Sequence, residues 1–161
     1  MSDAQPRHAA LWRRFAAALV DAAIIGGLVL LVGGTDVVSG TVDPAGTLVL
    51  AGSLAMFYRV LFEGSRLAAT PGKLAVRLRV TDLNGGRLTY ATAAARAWPW
   101  WLPGACAGIA PSLVPAAALA CLIAAAFIPL SATRRGLHDR MAGTVVVDRR
   151  TPTTREGAPQ E

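Results

Sequence analysis

The sequence is short of charge. Asp, Glu, Lys and Arg make up 16% of its 161 residues, against about 25% in soluble domains. A chain of this size has much surface for its volume and needs polar residues to cover it. Hydrophobic residues reach 53% instead, with a mean hydropathy of +0.45, so the surplus must face lipid. Disorder, fibre and large multidomain enzyme are excluded. Lysine is almost missing: Lys73 is the only one among 16 basic residues. There are two cysteines, Cys106 and Cys121. Both lie in apolar sequence without CxxC spacing or a histidine pair nearby, so they read as small buried hydrophobes. Familiar catalytic motifs are also lacking. There is no HExxH or GxSxG, and His8 and His138 make no metal spacing. GSRLAATPGKL approaches the phosphate-binding pattern GxxxxGK[ST], but Leu67 takes the first Gly position and Leu74 follows the lysine. No enzymatic activity, metal or cofactor is expected.

What is present is a series of apolar blocks. Arg13 and Arg14 precede a run from Phe15 to Val32 interrupted by one charge, Asp21. A basic start before an apolar stretch resembles a signal peptide; the internal acid and the further apolar blocks point instead to an uncleaved first span. Its ~18–20 residues match a bilayer core of ~30 Å. Residues 33–47 read as a loop with two acids and no base. A second block runs from Leu48 to Phe62, with Arg59 near its end snorkelling to the interface. From Ala97 to Thr133 there is no charge at all. One helix of that length would run ~55 Å, and Pro99, Pro103, Pro111 and Pro115 break it, so it folds into a hairpin. Its first arm begins with Trp98, Trp100 and Trp101, an interfacial belt, and is short enough that re-entry or an interfacial position stays open.

Between the blocks, LAVRLRVTDLNGGRLTY alternates. Val76, Leu78 and Val80 share one face, Arg77, Arg79 and Thr81 the other, and Asn84-Gly85-Gly86 supplies a turn. This predicts a β-hairpin at the membrane surface, joined by a short strand over Thr144 to Val147. The expected architecture is an all-α integral membrane fold with about four transmembrane helices in two helical hairpins (spans at 13–32, 47–63, 97–110 and 112–132) and a small cytoplasmic β-hairpin at 74–90. Residues 1–10 and 149–161 are expected to be disordered ends of an 11–148 membrane domain.

The net charge of +6 and pI of about 10.6 would suggest nucleic acid in a soluble protein. Here the bases cluster around charge-free blocks and set orientation. With four crossings every base falls on one side; with three, six arginines after Thr133 fall outside. The positive-inside rule therefore favours four spans, both termini cytoplasmic, in the inner (plasma) membrane. The expected partner is the lipid bilayer, with no nucleic acid.

Asp21 is the most informative residue. It follows Arg14 by seven positions, two helical turns, so both side chains project from one face ~10 Å apart along the axis. An acid at a helix centre costs ~2.5–3.5 kcal/mol and faces the protein interior. It reads either as a protonatable carboxylate on an ion path or as polar glue between helices. Ala22, Ala23, Gly26 and Gly27 form small-xxx-small pairs, a packing signal. Arg59 and Glu63 stand four apart and read as a surface pair; a Glu63 buried beside Asp21 would mean more. Asp139, flanked by arginines, suggests a charge network at the cytoplasmic mouth, and His138 beside it titrates near neutrality when solvated.

The segments WRRFAAALVDAAII, ATPGKLAVRLRVTDLNGGRLTY with Arg96 following, and RRGLHDRMAGTVVV resemble those of the RDD family of small multipass bacterial membrane proteins, over residues 11–148. The family is named for one arginine and two aspartates, which Arg14, Asp21 and Asp139 match by position. The match also covers Thr70, Gly72 and Lys73 of TPGK and the LHD-x-x-AGT segment. Leu74 and Ala75 follow Lys73 where a basic residue is common, which weakens the case for a basic cluster there. Some members are associated with sodium–proton exchange, so the resemblance implies a cation/proton transporter or transporter subunit, with a monovalent cation or proton as ligand and a homo-oligomer, since four short helices leave little room for a pore. The alternative is a non-transporting scaffold or accessory protein that docks a cytoplasmic partner or anionic lipid. In either case Arg14, Asp21, Asp139 and Glu63 form the expected network, and Asp139 is expected to reach back to Arg14.

Overall fold

The computed structural model describes residues 10–41, 43–131 and 133–149. The expected ends at 1–9 and 150–161 lie outside the described residues. Helix α1 spans Leu11–Val38 and continues past the expected loop start at residue 33, with a break at Gly34, where φ is 55° and ψ −143°. Its Ala/Leu/Val-rich sequence propagates helix well, and glycine accommodates the left-handed kink at no Cβ cost. Helix α2, Pro44–Gly64, starts cleanly because Asp43 accepts a hydrogen bond from Gly46 N at 2.5 Å and Pro44 sits in its first turn.

Three short helices follow or interrupt the remaining chain: α3 (Pro71–Ala75), α4 (Tyr90–Arg96) and, near the end, α7 (Leu137–Met141). Between α4 and α7 lie α5 (Trp98–Ile109), a 3₁₀ turn at Pro111–Leu113 and α6 (Val114–Leu130). Among the described residues, three helical stretches are long and apolar enough to cross a membrane: Leu11–Gly34, Pro44–Gly64 and Pro111–Leu130. The expected fourth span at 97–110 falls on α5, whose 12 residues rise only ~18 Å, short of a ~30 Å core. A single residue, Ala97, separates α5 from α4. Only the two together reach the length of a crossing, and that rod carries Arg96.

The expected hairpin at 74–90 is not formed. Strand β1 (Leu78–Asp82) pairs antiparallel with β2 (Thr144–Asp148), with Leu78 opposite Asp148 and Val80 opposite Val146. The Asn84-Gly85-Gly86 turn does form: Asp82 Oδ1 accepts from Asn84 N at 2.8 Å and Gly86 N at 2.7 Å, and Gly85 has a φ of 82°. Beyond it, however, Leu88 turns inward and Thr89 caps α4 through Thr92 N. The β-branched run Val145–Val147 is a better partner for β1 than Arg87-Leu88-Thr89. The short strand expected to join the hairpin at Thr144 to Val147 is present, and Leu78, Val80, Leu88, Ala93 and Val146 close a small core beneath the sheet, with Val76 against it.

α2 and α5 make the most extensive helix contact, and a close one. A Cβ on Gly52 would lie 3.3 Å from Gly104 Cα, and one on Gly104 2.6 Å from the Leu48 carbonyl. The small-residue stripe expected to pack, Ala22, Ala23, Gly26 and Gly27, is not used inside the chain: Cβ atoms on either glycine meet nothing within 4 Å. The face of α1 that is buried carries Ala17, Asp21 and Val29 instead. Gly104→Leu should therefore destabilise the protein by about 1–3 kcal/mol through overpacking. Gly26→Leu should stay within about 0.5 kcal/mol of the parent. Thermal melting of both variants in detergent micelles checks the contrast.

Candidate functional site

The N-terminal part of α1, the C-terminal end of α2, α3, the end of α4 and α7 converge at one pole of the bundle, and their charged side chains meet there. Asp21 is 1% exposed. Its Oδ1 accepts from Tyr58 OH at 2.7 Å and Gly72 N at 2.8 Å, and its Oδ2 from Thr70 Oγ1 at 2.6 Å. All three donors are neutral.

The TPGK segment is explained residue by residue. Thr70 is the residue before α3, yet its hydroxyl leaves its own helix uncapped and donates to Asp21. Pro71 starts the helix, where its missing N–H costs nothing. Gly72 offers Asp21 one of the amides that a helix start leaves free. A Cβ on Gly72 would strike the Ala17 carbonyl and come within 2.7 Å of Asp21 Oδ1, so only glycine lets α3 approach α1 this closely. Lys73 turns to Glu63.

Glu63 is 2% exposed and is the hub of a second group. Its Oε1 takes Lys73 Nζ, with Arg59 Nη1 at 3.6 Å; its Oε2 takes Arg96 Nη1. Arg96 Nε then donates to Asp139 Oδ1 at 2.7 Å. Asp139 Oδ2 also accepts from Gly136 N at 3.2 Å and has Arg14 Nη1 at 3.8 Å. Thus Arg14, Glu63 and Asp139 share one continuous network, and the nearest base to Asp139 is Arg96 rather than Arg14. Arg14 and its neighbour Arg13 also hold the sheet: Arg14 Nη2 donates to the Val146 carbonyl at 3.2 Å, Arg13 Nε to that of Val76 at 3.0 Å, and Arg13 Nη1 pairs with Asp148 at 2.5 Å.

The expectation for Arg59 is corrected. It does not snorkel and its pair with Glu63 is not at the surface: Arg59 is 6% exposed, with its guanidinium stacked 3.7 Å from the centre of the Trp100 ring. The aromatic face and the Glu63 charge compensate an arginine placed among helices. Tyr58 and Trp100 were not legible as site residues; the only signal was an arginine inside an apolar block, which required interior partners.

Outside the spans, burial and charge act in opposition. Burial alone would raise the Asp139 carboxyl, but Arg96 and its other cationic neighbours outweigh this and hold it down at about 2. His138 is lowered to about 4, chiefly by burial, against the pull of Asp139; its Nε2 lies 3.5 Å from Asp139 Oδ1. It is therefore neutral at physiological pH, where a solvated histidine would titrate. Lys73 is lowered to about 8 by burial, partly offset by Glu63.

The network borders a cavity of about 400 Å³. Four bases (Arg14, Arg59, Lys73, Arg96) and three acids (Asp21, Glu63, Asp139) line its polar end, with His138. Its apolar walls come from α1, α5 and α6. Arg14 Nε, Arg59 Nε and His138 Nδ1 are buried there without a hydrogen-bond partner.

Two outcomes follow from this geometry. Asp21→Ala strands two hydroxyls and an amide and should cost several kcal/mol, at about 1–3 per orphaned donor; Asp21→Asn, which keeps one acceptor oxygen, should cost less. Chemical denaturation in micelles measures both. The unfolded chain binds a proton on His138 below about 6.5, the folded one only below about 4, so stability falls as pH drops through that interval. Asp139 adds a loss below its ordinary value of 3.8, continuing to about 2. Melting temperatures of His138→Asn should lack the first fall and keep the second.

The pattern that places these residues is shared. A family model described as the RDD family matches residues 8–143, a stretch that takes in Arg14, Asp21 and Asp139, while no curated protein and no solved structure matches the chain. With most of its length covered, and with apolar helices long enough to span a bilayer, this chain is a membrane-type protein that belongs to the RDD family.

Proposed function

We propose that the chain is a non-transporting accessory or scaffold protein of the plasma membrane, with both termini and the charged pole on the cytoplasmic side. The observation that carries this reading is the commitment of the buried carboxylates. Glu63 and Asp139 are each engaged by two or more cationic groups, and both Asp21 oxygens already accept hydrogen bonds. A cation site needs carboxylate or carbonyl oxygens left to give to the ion, and four bases against three acids at one cavity disfavour a cation further. The orientation rests on the stretch 33–47, where α1 ends and α2 begins, which holds Asp36 and Asp43 and no base, while exposed Arg66, Arg77, Arg87, Arg134 and Arg140 ring the opposite pole. That ring suits anionic headgroups or an acidic partner surface.

One observation favours cation/proton exchange instead. Among the buried acids Asp21 alone has only neutral donors, and it borders the cavity. Proteoliposomes loaded with a pH-sensitive dye separate the two readings. The accessory reading expects no proton movement after a sodium, lithium or potassium pulse. Cation-driven proton flux that Asp21→Asn abolishes would establish exchange and overturn it.

A further inference from the structure

α1 packs on α2 and α3 but has no comparable contact with α6, and the cavity lies in that gap. Folded interiors are close-packed, with few voids larger than a water molecule. A space of about 400 Å³ is within the ~300–1,000 Å³ range of ligand sites. Its two ends differ in chemistry. At one end the bases exceed the acids by one, four against three, with His138 neutral. Arg59, 6% exposed, is stacked face-on over Trp100. Stacking occupies the guanidinium face and leaves its in-plane donors for an anion, and Nε has no partner. Arg14 Nε is in the same position. Deeper along α1 and α6 the walls are apolar: Ala18, Cys121 and Ala125, with Phe15 and Ile128 beside the charges. Phe15 on α1 is 67% exposed and Ala125 on α6 is exposed too, so the cavity borders the outer face of both helices, where a bilayer would lie.

We infer that the gap between α1 and α6 binds one anionic membrane lipid, its phosphate held by Arg59 and Arg14 and its acyl chain laid inward along Phe15, Ala18 and Ala125. A basic pocket between membrane helices is the arrangement that selects such headgroups, and here the excess positive charge and the unpaired donors are supplied together. This site is separate from the exposed arginine ring and does not depend on whether the chain transports ions.

The full chain in detergent, given equal amounts of phosphatidylglycerol and phosphatidylcholine of the same acyl chains, tests this by native mass spectrometry. The expected result is a one-to-one adduct with phosphatidylglycerol about tenfold more abundant than with phosphatidylcholine. Arg59→Gln should bring it down to the phosphatidylcholine level. Ala18→Phe, which fills the cavity and leaves every charge in place, should deplete the adduct as well, so the test survives if one variant fails to fold. Equal adducts of the two lipids on the parent protein overturn the assignment. So does an undiminished preference in a folded variant. Excess inorganic phosphate that displaces the lipid without detergent competition, or raises the melting temperature as far as the lipid does, also overturns it by assigning the site to a free anion.

Discussion

One guanidinium holds the charged pole together. Arg96, at the end of α4, bonds Glu63 of α2 with Nη1 and Asp139 of α7 with Nε. Those carboxylates lie on segments far apart in the chain, and each collects further bases, so that α1, α2, α3, α4 and α7 are cross-linked through a single side chain. A planar fork aims its donors at two carboxylates in fixed directions; an ammonium, a point charge on a flexible stem, imposes no such geometry. Desolvation makes such a cluster a poor source of net stability, but breaking any one member leaves a buried charge uncompensated. The network therefore specifies which segments meet, and the apolar contacts supply the adhesion.

That division fits the surroundings. In hydrocarbon there is no hydrophobic drive between helices, so association depends on close packing and polar contacts. The bundle has both, in different places. Gly52 and Gly104 bring α2 and α5 together by shape, while Asp21 brings α3 against α1 by hydrogen bonds to Thr70 and Gly72. Large side chains such as Trp12, Leu31, Phe57 and Leu122 remain outside, as expected of a surface that meets lipid rather than water.

Much of this was legible in sequence. Apolar blocks located α1, α2 and α6, and the alternation of Val76, Leu78 and Val80 placed the buried face of β1. The isolated charge at Asp21, together with the family pattern, singled out residues that do converge. What failed was partnering. An Asn-Gly-Gly turn predicts a local hairpin, and nothing local reveals that a more distant β-branched strand competes better for β1. In sequence, Arg59 near the end of an apolar block reads as interfacial because a long side chain can reach the interface; that Trp100 and Glu63 stand ready in the interior is a property of the packed helices. The small residues of α1 announced close contact without naming a partner, and none is present among the described residues.

The pairing of β1 with β2 also sets an order of assembly. β2 begins at Thr144, after every apolar helix has been synthesised. Until it emerges, the Leu78 and Val80 strand has no ladder partner, and Asp139, just ahead of β2, has only recently become available to Arg96. The helices must therefore enter the bilayer while Glu63, Lys73 and Arg96 wait beside it incompletely matched. Closing the pole therefore waits for α7 and β2, so damage to that segment would leave inserted helices whose buried charges never find their full complement.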